Sequence, residues 1–82
     1  MALKFEFTHE LGRVITYHRK RAGLSRAELS EMAGVGPTVI YELEHGKESV
    51  QFNIIRRILG VLNLRLSVEG PMMNEYERNE KS

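Results

Sequence analysis

Leu24-Ser25-Arg26-Ala27-Glu28-Leu29-Ser30-Glu31-Met32-Ala33-Gly34-Val35-Gly36-Pro37-Thr38-Val39-Ile40-Tyr41-Glu42-Leu43-Glu44-His45-Gly46 is the stretch that decides the fold. It reads as two short helices on a tight turn. Ser25 is a good N-cap, and Glu28 three residues later completes a capping box. The helix so opened runs to about Ala33. Gly34 can take the positive φ that ends a helix cheaply. Val35 is apolar and plugs the turn into the core. Gly36 and Pro37 open the next helix, because proline at the first helical position has no N–H to lose. That helix runs to about His45, and Gly46 ends it. Leu24, Leu29, Met32, Val35, Ile40 and Leu43 are spaced to point inward together.

Two short helices joined in this way form a helix-turn-helix. From Gly23 to Lys47 the chain resembles the Xre/Cro-type family of phage repressors and bacterial antitoxins. The resemblance rests on Gly23, Leu24, Ser25, Glu28, Leu29, Ala33, Gly34, Val35, Ile40, Leu43, Glu44, Gly46 and Lys47, and spans about residues 9 to 70. An ordinary αα-hairpin would not need so many residue types at fixed spacing. The expected fold is all-α: a four- to five-helix, lambda-repressor-like domain. A short C-terminal β-strand is added, and an N-terminal strand is a further candidate.

The flanks supply the remaining elements. Leu3-Lys4-Phe5-Glu6-Phe7 alternates apolar and charged residues, the period of a half-buried strand. Thr8 then caps a helix that runs to about Arg21 or Ala22, with Leu11, Val14, Ile15 and His18 as its inner stripe. Lys47–Val50 is a loop. A fourth helix covers about Gln51 to Leu62, and its apolar residues span half the circumference, wider than one core-facing stripe needs. Phe52, Ile55, Leu59 and Leu62 are assigned to the core. Ile54, Ile58 and Val61 are left on an adjacent face and are assigned to a dimer interface. Leu64-Arg65-Leu66-Ser67-Val68-Glu69 alternates again and is stopped by Gly70-Pro71. A lone strand is not stable, so Leu64, Leu66 and Val68 are expected to pair within the chain or across a dimer. A strand after the last helix is similar to the HipB-type antitoxins, whose terminal strands pair between subunits. Residues 1–72 are then a DNA-binding and dimerisation domain, and residues 73–82 a flexible polar tail.

Composition bounds the function. The chain has 82 residues, 41% hydrophobic and 28% charged, which suits one globular domain. A chain this short has a small core, and oligomerisation is a common remedy. The formal net charge of +1 gives no strong global pull toward nucleic acid. Cysteine is absent, which excludes disulfides and thiolate metal sites. No apolar run is long enough to span a membrane, and the first ten residues lack the apolar centre of a secretion signal. The expected location is cytoplasmic, at the nucleoid. Enzyme chemistry is not expected either. His9, His18 and His45 have no metal-ligand spacing, aspartate is absent, and the glutamates fall on helix surfaces. The glycines mark helix ends rather than a phosphate loop, so no cofactor is expected.

The resemblance implies a dimeric, sequence-specific repressor. Family positions map base contacts onto Pro37, Thr38, Tyr41 and Glu42. Phosphate contacts map onto Arg26, Gly36 and Lys47. Arg19 and Glu44 fall at positions that form an ion pair in the family. The implied partners are a palindromic double-stranded operator, a second copy of the chain and a HipA-type kinase toxin. A phage- or plasmid-type repressor without a toxin is the alternative within the class. The recognition helix carries two glutamates and no Lys, Arg, Gln or Asn. That motivates an alternative of another class, a protein-binding module without specific DNA binding.

Overall fold

A computed structural model describes residues 3–81 of the chain, and its side chains over residues 10–80. Among the described residues five helices follow one another: α1 (Leu3–Arg21), α2 (Arg26–Ala33), α3 (Pro37–Glu44), α4 (Phe52–Val61) and α5 (Met73–Lys81). No strand occurs among the described residues.

The central hairpin forms by local rules. Glu28 N–H donates to Ser25 Oγ at 3.0 Å, and Ser25 N–H donates to Glu28 Oε1 at 2.8 Å, closing the capping box. Gly34 ends α2 at φ 71°, with Val35 N–H returning to the Ser30 carbonyl at 2.9 Å. Gly36 caps α3 and Pro37 stands at its first position. Gly46, at φ 85°, follows the last turn of α3.

Among the described residues, eight make the buried core: Leu11 and Ile15 of α1, Leu29 and Ala33 of α2, Ile40 and Leu43 of α3, Ile58 and Leu59 of α4. Leu24, Val35, Val50, Ile54, Ile55, Val61, Leu62 and Leu64 pack around them. The first helix lies against α3 with unusual closeness. A Cβ on Gly12 would stand 2.7 Å from the Leu43 carbonyl oxygen and 2.9 Å from that of Glu44.

Several expectations are corrected here. Leu3–Phe7 is the first part of α1, not a strand. Five alternating residues fit either period, and Leu3, Phe7 and Leu11 also stand at i, i+4 and i+8. The helix therefore begins before Thr8, whose side chain lies outside the described residues. Leu64–Glu69 forms no strand in the single chain, and Leu3–Phe7, its candidate partner within the chain, is helical. Leu64 packs on the core, while Leu66 and Val68 are 41% and 75% exposed. Residues 73–81 are helical rather than irregular, with Met73 half-buried and residues 74–80 exposed.

The fourth helix packs both of its apolar stripes on the core: Leu59 is buried with Ile55 and Leu62 beside it, as expected, but the adjacent stripe joins them. Ile58 is fully buried, and Ile54 and Val61 pack against the core, so the stripe assigned to a dimer interface is this chain's own core face. Phe52, assigned to the core, is 61% exposed. A wide apolar arc tells how much of a helix can be buried, not where the buried sector is centred. Met32 of α2 and Val14 of α1 are also exposed rather than inward.

The end of α4 gives a stability prediction. Asn63 follows the helix at φ 59°, and Leu64 N–H reaches back to the Leu59 carbonyl at 2.8 Å. Asparagine tolerates this left-handed setting, whereas a β-branched residue does not. Asn63→Val is expected to cost about 1–2 kcal/mol, and Asn63→Gly nothing, in urea unfolding.

Candidate nucleic-acid interface

The two faces of α3 differ sharply. Ile40 and Leu43 are buried, and Pro37, Thr38 and Tyr41 are exposed, with Glu42 between the extremes. The exposed residues stand at i, i+1 and i+4, which places them on one outward face. Gly36, just before them, is also exposed and bears no side chain to hold a ligand off. This is the geometry a helix needs to enter a groove side first, with its N-terminal residues leading.

Beneath that face lies a charged cluster. Arg19 Nε donates to Glu44 Oε2 at 2.6 Å and Arg19 Nη2 to Glu44 Oε1 at 3.3 Å. Arg19 Nη1 also donates to the Leu24 carbonyl at 2.8 Å, tying α1, the start of the hairpin and α3 together. Arg26 Nε donates to Glu44 Oε1 at 2.8 Å. The Glu44 side chain is 1% exposed and that of Arg26 is 40% exposed. Burial pushes the Glu44 carboxyl up, but the hydrogen bonds and charges of Arg19 and Arg26 outweigh it and hold the group below the usual carboxylate value. Glu44 thus stays ionised, and its charge is spent inward on two guanidinium groups. The three side chains together carry one positive charge, on the side where Arg26 emerges.

The second glutamate of α3 is also engaged. Lys47 Nζ lies 3.1 Å from Glu42 Oε1, and both side chains are partly exposed. An exposed pair of this kind is worth little, so it opens readily when a stronger anion approaches Lys47. The acidity of α3, evident in sequence, is therefore balanced by neighbours from outside the helix.

The candidates come together in two groups. Arg26, Tyr41 and Glu44 form one, because the Arg26 guanidinium carbon lies 5.2 Å from the Tyr41 ring centroid. Lys47 and Glu42 form the other. Leu66 and Val68 lie on the exposed segment after α4, while Ile54, Ile58 and Val61 are turned into the core.

His45 was missed from the sequence. Its ring stacks on Tyr41 with centroids 4.0 Å apart and planes at 23°. Its Nδ1 donates to the Tyr41 carbonyl at 2.7 Å. A carbonyl oxygen can only accept, so Nδ1 carries the proton. The i, i+4 spacing was the available signal. The Arg26–Glu44 bond joins residues eighteen apart in the chain and had no local signal. Arg13 and Arg21 lie outside these groups. Arg13 pairs with Glu10 at 3.5 Å, and Arg21 reaches the Tyr17 hydroxyl at 3.4 Å.

Comparison with known proteins agrees with this geometry. A family model described as helix-turn-helix matches residues 15–68. The chain is 30% identical over 71 residues to y4mF of Sinorhizobium fredii, an uncharacterized HTH-type transcriptional regulator. The alignment covers 87% of this chain and 93% of that relative. Among the described residues no helix is long and apolar enough to cross a membrane. No cluster of three or more His, Cys, Asp or Glu residues that could hold a metal ion occurs among them either.

Proposed function

The chain belongs to the helix-turn-helix family, a DNA-binding and not an enzymatic one, and from that premise we propose that it is a dimeric, sequence-specific transcriptional repressor. One observation carries this reading. The outward face of α3 presents Pro37, Thr38 and Tyr41, while the inward face is locked by Ile40 and Leu43. Thr38 and Tyr41 read base edges, Thr38 through its hydroxyl or methyl group and Tyr41 through its hydroxyl. Arg26, Gly36 and Lys47 position the helix on phosphates.

The dimer is part of the proposal, and the exposed apolar residues on and after α4 support it. Phe52 and Leu66 border a shallow groove with Leu59 and Leu64, and Leu66 borders a second one with Val14. Two-fold symmetry then calls for a palindromic operator with half-sites roughly 34 Å apart. Residues 1–72 carry binding and assembly, with α5 as an appendage. By analogy with HipB-type antitoxins, the proposed repressor is also the antitoxin of a HipA-type kinase toxin in the same operon. That step is analogy between family members, and a kinase-like neighbouring gene is its test.

The protein-binding module remains as a second reading, favoured by the engagement of both Arg26 and Lys47 with glutamates. Binding of the protein to its own promoter DNA over a salt series separates the two. A repressor loses affinity steeply with salt, and Lys47→Ala lowers the slope by about one unit, the share of a single phosphate. Glu42→Gln is expected to tighten binding to every sequence, because it frees Lys47 and removes a repelling charge. If it instead relaxes preference at one base pair, Glu42 reads a cytosine. Affinity independent of salt, and equal for promoter and random DNA, would favour the module.

A further inference from the structure

We propose that Glu44 is a positioning residue of the DNA-reading face: its buried carboxylate fixes the Arg26 guanidinium beside the Tyr41 ring, so that Arg26 and Tyr41 engage DNA as one preorganised unit. The inference rests on the DNA-binding reading above and adds to it a role for a group that never touches the ligand.

Glu44 is turned inward. Its side chain is 1% exposed, so it contacts no base or phosphate itself. Pairing with Arg19 alone would join α1 to α3. Yet the carboxylate is shared, and Oε1 also accepts from Arg26 Nε. A guanidinium is planar, so one bond through Nε, with the ring of Tyr41 5.2 Å from its central carbon, restricts both position and tilt. The Nε bond leaves the two Nη groups of Arg26 to fork onto a phosphate. Tyr41 is restrained in turn by His45, stacked at 4.0 Å.

The chemistry of a flexible arginine would be different. An unrestrained side chain loses rotamer freedom on binding, whereas one already held loses little. Preorganisation of this kind makes the two residues interdependent. Losing Arg26 releases Tyr41, and losing Tyr41 removes the surface that Arg26 lies beside. The ligand class is the anionic edge of a duplex, a phosphate next to a base that Tyr41 touches.

The test uses duplexes that the full-length protein enriches from a random-sequence pool. Dissociation constants are measured for wild type, Arg26→Lys, Arg26→Ala, Tyr41→Leu and the Arg26→Ala/Tyr41→Leu double variant. All of these leave the Arg19–Glu44 pair in place. Arg26→Lys keeps the charge but loses the planar group, and is expected to lose about as much affinity as Arg26→Ala. The double variant should fall short of the product of the single losses by about threefold or more. In the free protein, Arg26→Lys should also shift the Tyr41 and His45 ring-proton resonances, a readout that does not need DNA. Arg26→Lys binding like wild type would overturn the proposal, because a point charge would then suffice. Single losses that multiply, with unmoved ring resonances, would overturn it too. If wild type enriches no sequence, the DNA-binding reading falls and this proposal with it; if wild type enriches a site and Arg26→Ala binds it unchanged, only this proposal falls.

Discussion

Arg19→Met is expected to destabilise the protein by about 3 kcal/mol in urea unfolding at pH 7, the cost of breaking a buried ion pair by removing one partner. Methionine matches much of the aliphatic stem, so lost packing is not the main effect. Three hydrogen bonds disappear: two to Glu44 and one to the Leu24 carbonyl. Arg26 still holds Glu44 Oε1, which keeps the loss at the lower end of the range for buried pairs. The pH dependence supplies a second check. Glu44 in the folded chain lies below its ordinary value of 4.5. A depressed carboxyl contributes stability that is fully present above the unfolded value and is lost as pH falls through the folded one. Glu28, lowered by the Ser25 N–H and hydroxyl, acts in the same direction. Stability of the wild type should therefore fall on acidification below about pH 4.5, and the fall should be shallower in Arg19→Met, where Glu44 has lost its stronger partner. A variant as stable as wild type, with an unchanged acid limb, would mean that Arg19 and Glu44 contribute nothing net.

How far the sequence speaks depends on the range of the interactions involved. The capping box, Gly34, Pro37 and Gly46 act within a few residues, and each was legible in sequence because its partner is a near neighbour. The Arg19–Glu44 pair spans twenty-five residues and was legible only through the family template. Arg26–Glu44 is comparably distant and has no such template, so Arg26 read simply as a phosphate ligand. Apolar pattern was the weakest guide where two readings fit one segment. Leu3–Phe7 satisfies a period of two, yet it lies in α1. In α4 the two apolar stripes looked like two surfaces, yet Ile54, Ile55, Ile58, Leu59, Val61 and Leu62 all reach one core and Phe52 alone is left out. Leu64–Glu69 alternates as a strand would, but a strand exists only where a second one pairs with it. Among the described residues none does.

Gly12 yields the other large effect. Glycine within a helix costs about 1 kcal/mol relative to alanine, so Gly12→Ala would stabilise α1 if only local propensity mattered. The tertiary contact reverses the sign. An added Cβ would stand 2.7 Å from the Leu43 carbonyl oxygen and 2.9 Å from the Glu44 carbonyl oxygen. Both are backbone atoms at the end of α3 and cannot rotate aside, so α1 and α3 must separate by several tenths of an ångström. Separation loosens the contact between Ile15 and the buried side of α3, and it stretches the 2.6 Å bond from Arg19 to Glu44. Overpacking of this kind costs typically 1–3 kcal/mol, and here the disturbed ion pair adds to it. A net loss of about 2 kcal/mol or more is expected in urea, with a larger one for Gly12→Val, whose branched side chain also disfavours a helix. Gly60 of α4 is the control, since a Cβ there meets nothing within 4 Å. Gly60→Ala should gain roughly 0.5–1 kcal/mol from helix propensity. Opposite signs for the same substitution in two helices would locate the effect in the α1–α3 contact. Because that contact also sets the depth of Glu44, Gly12→Ala should weaken DNA binding beyond the fraction unfolded.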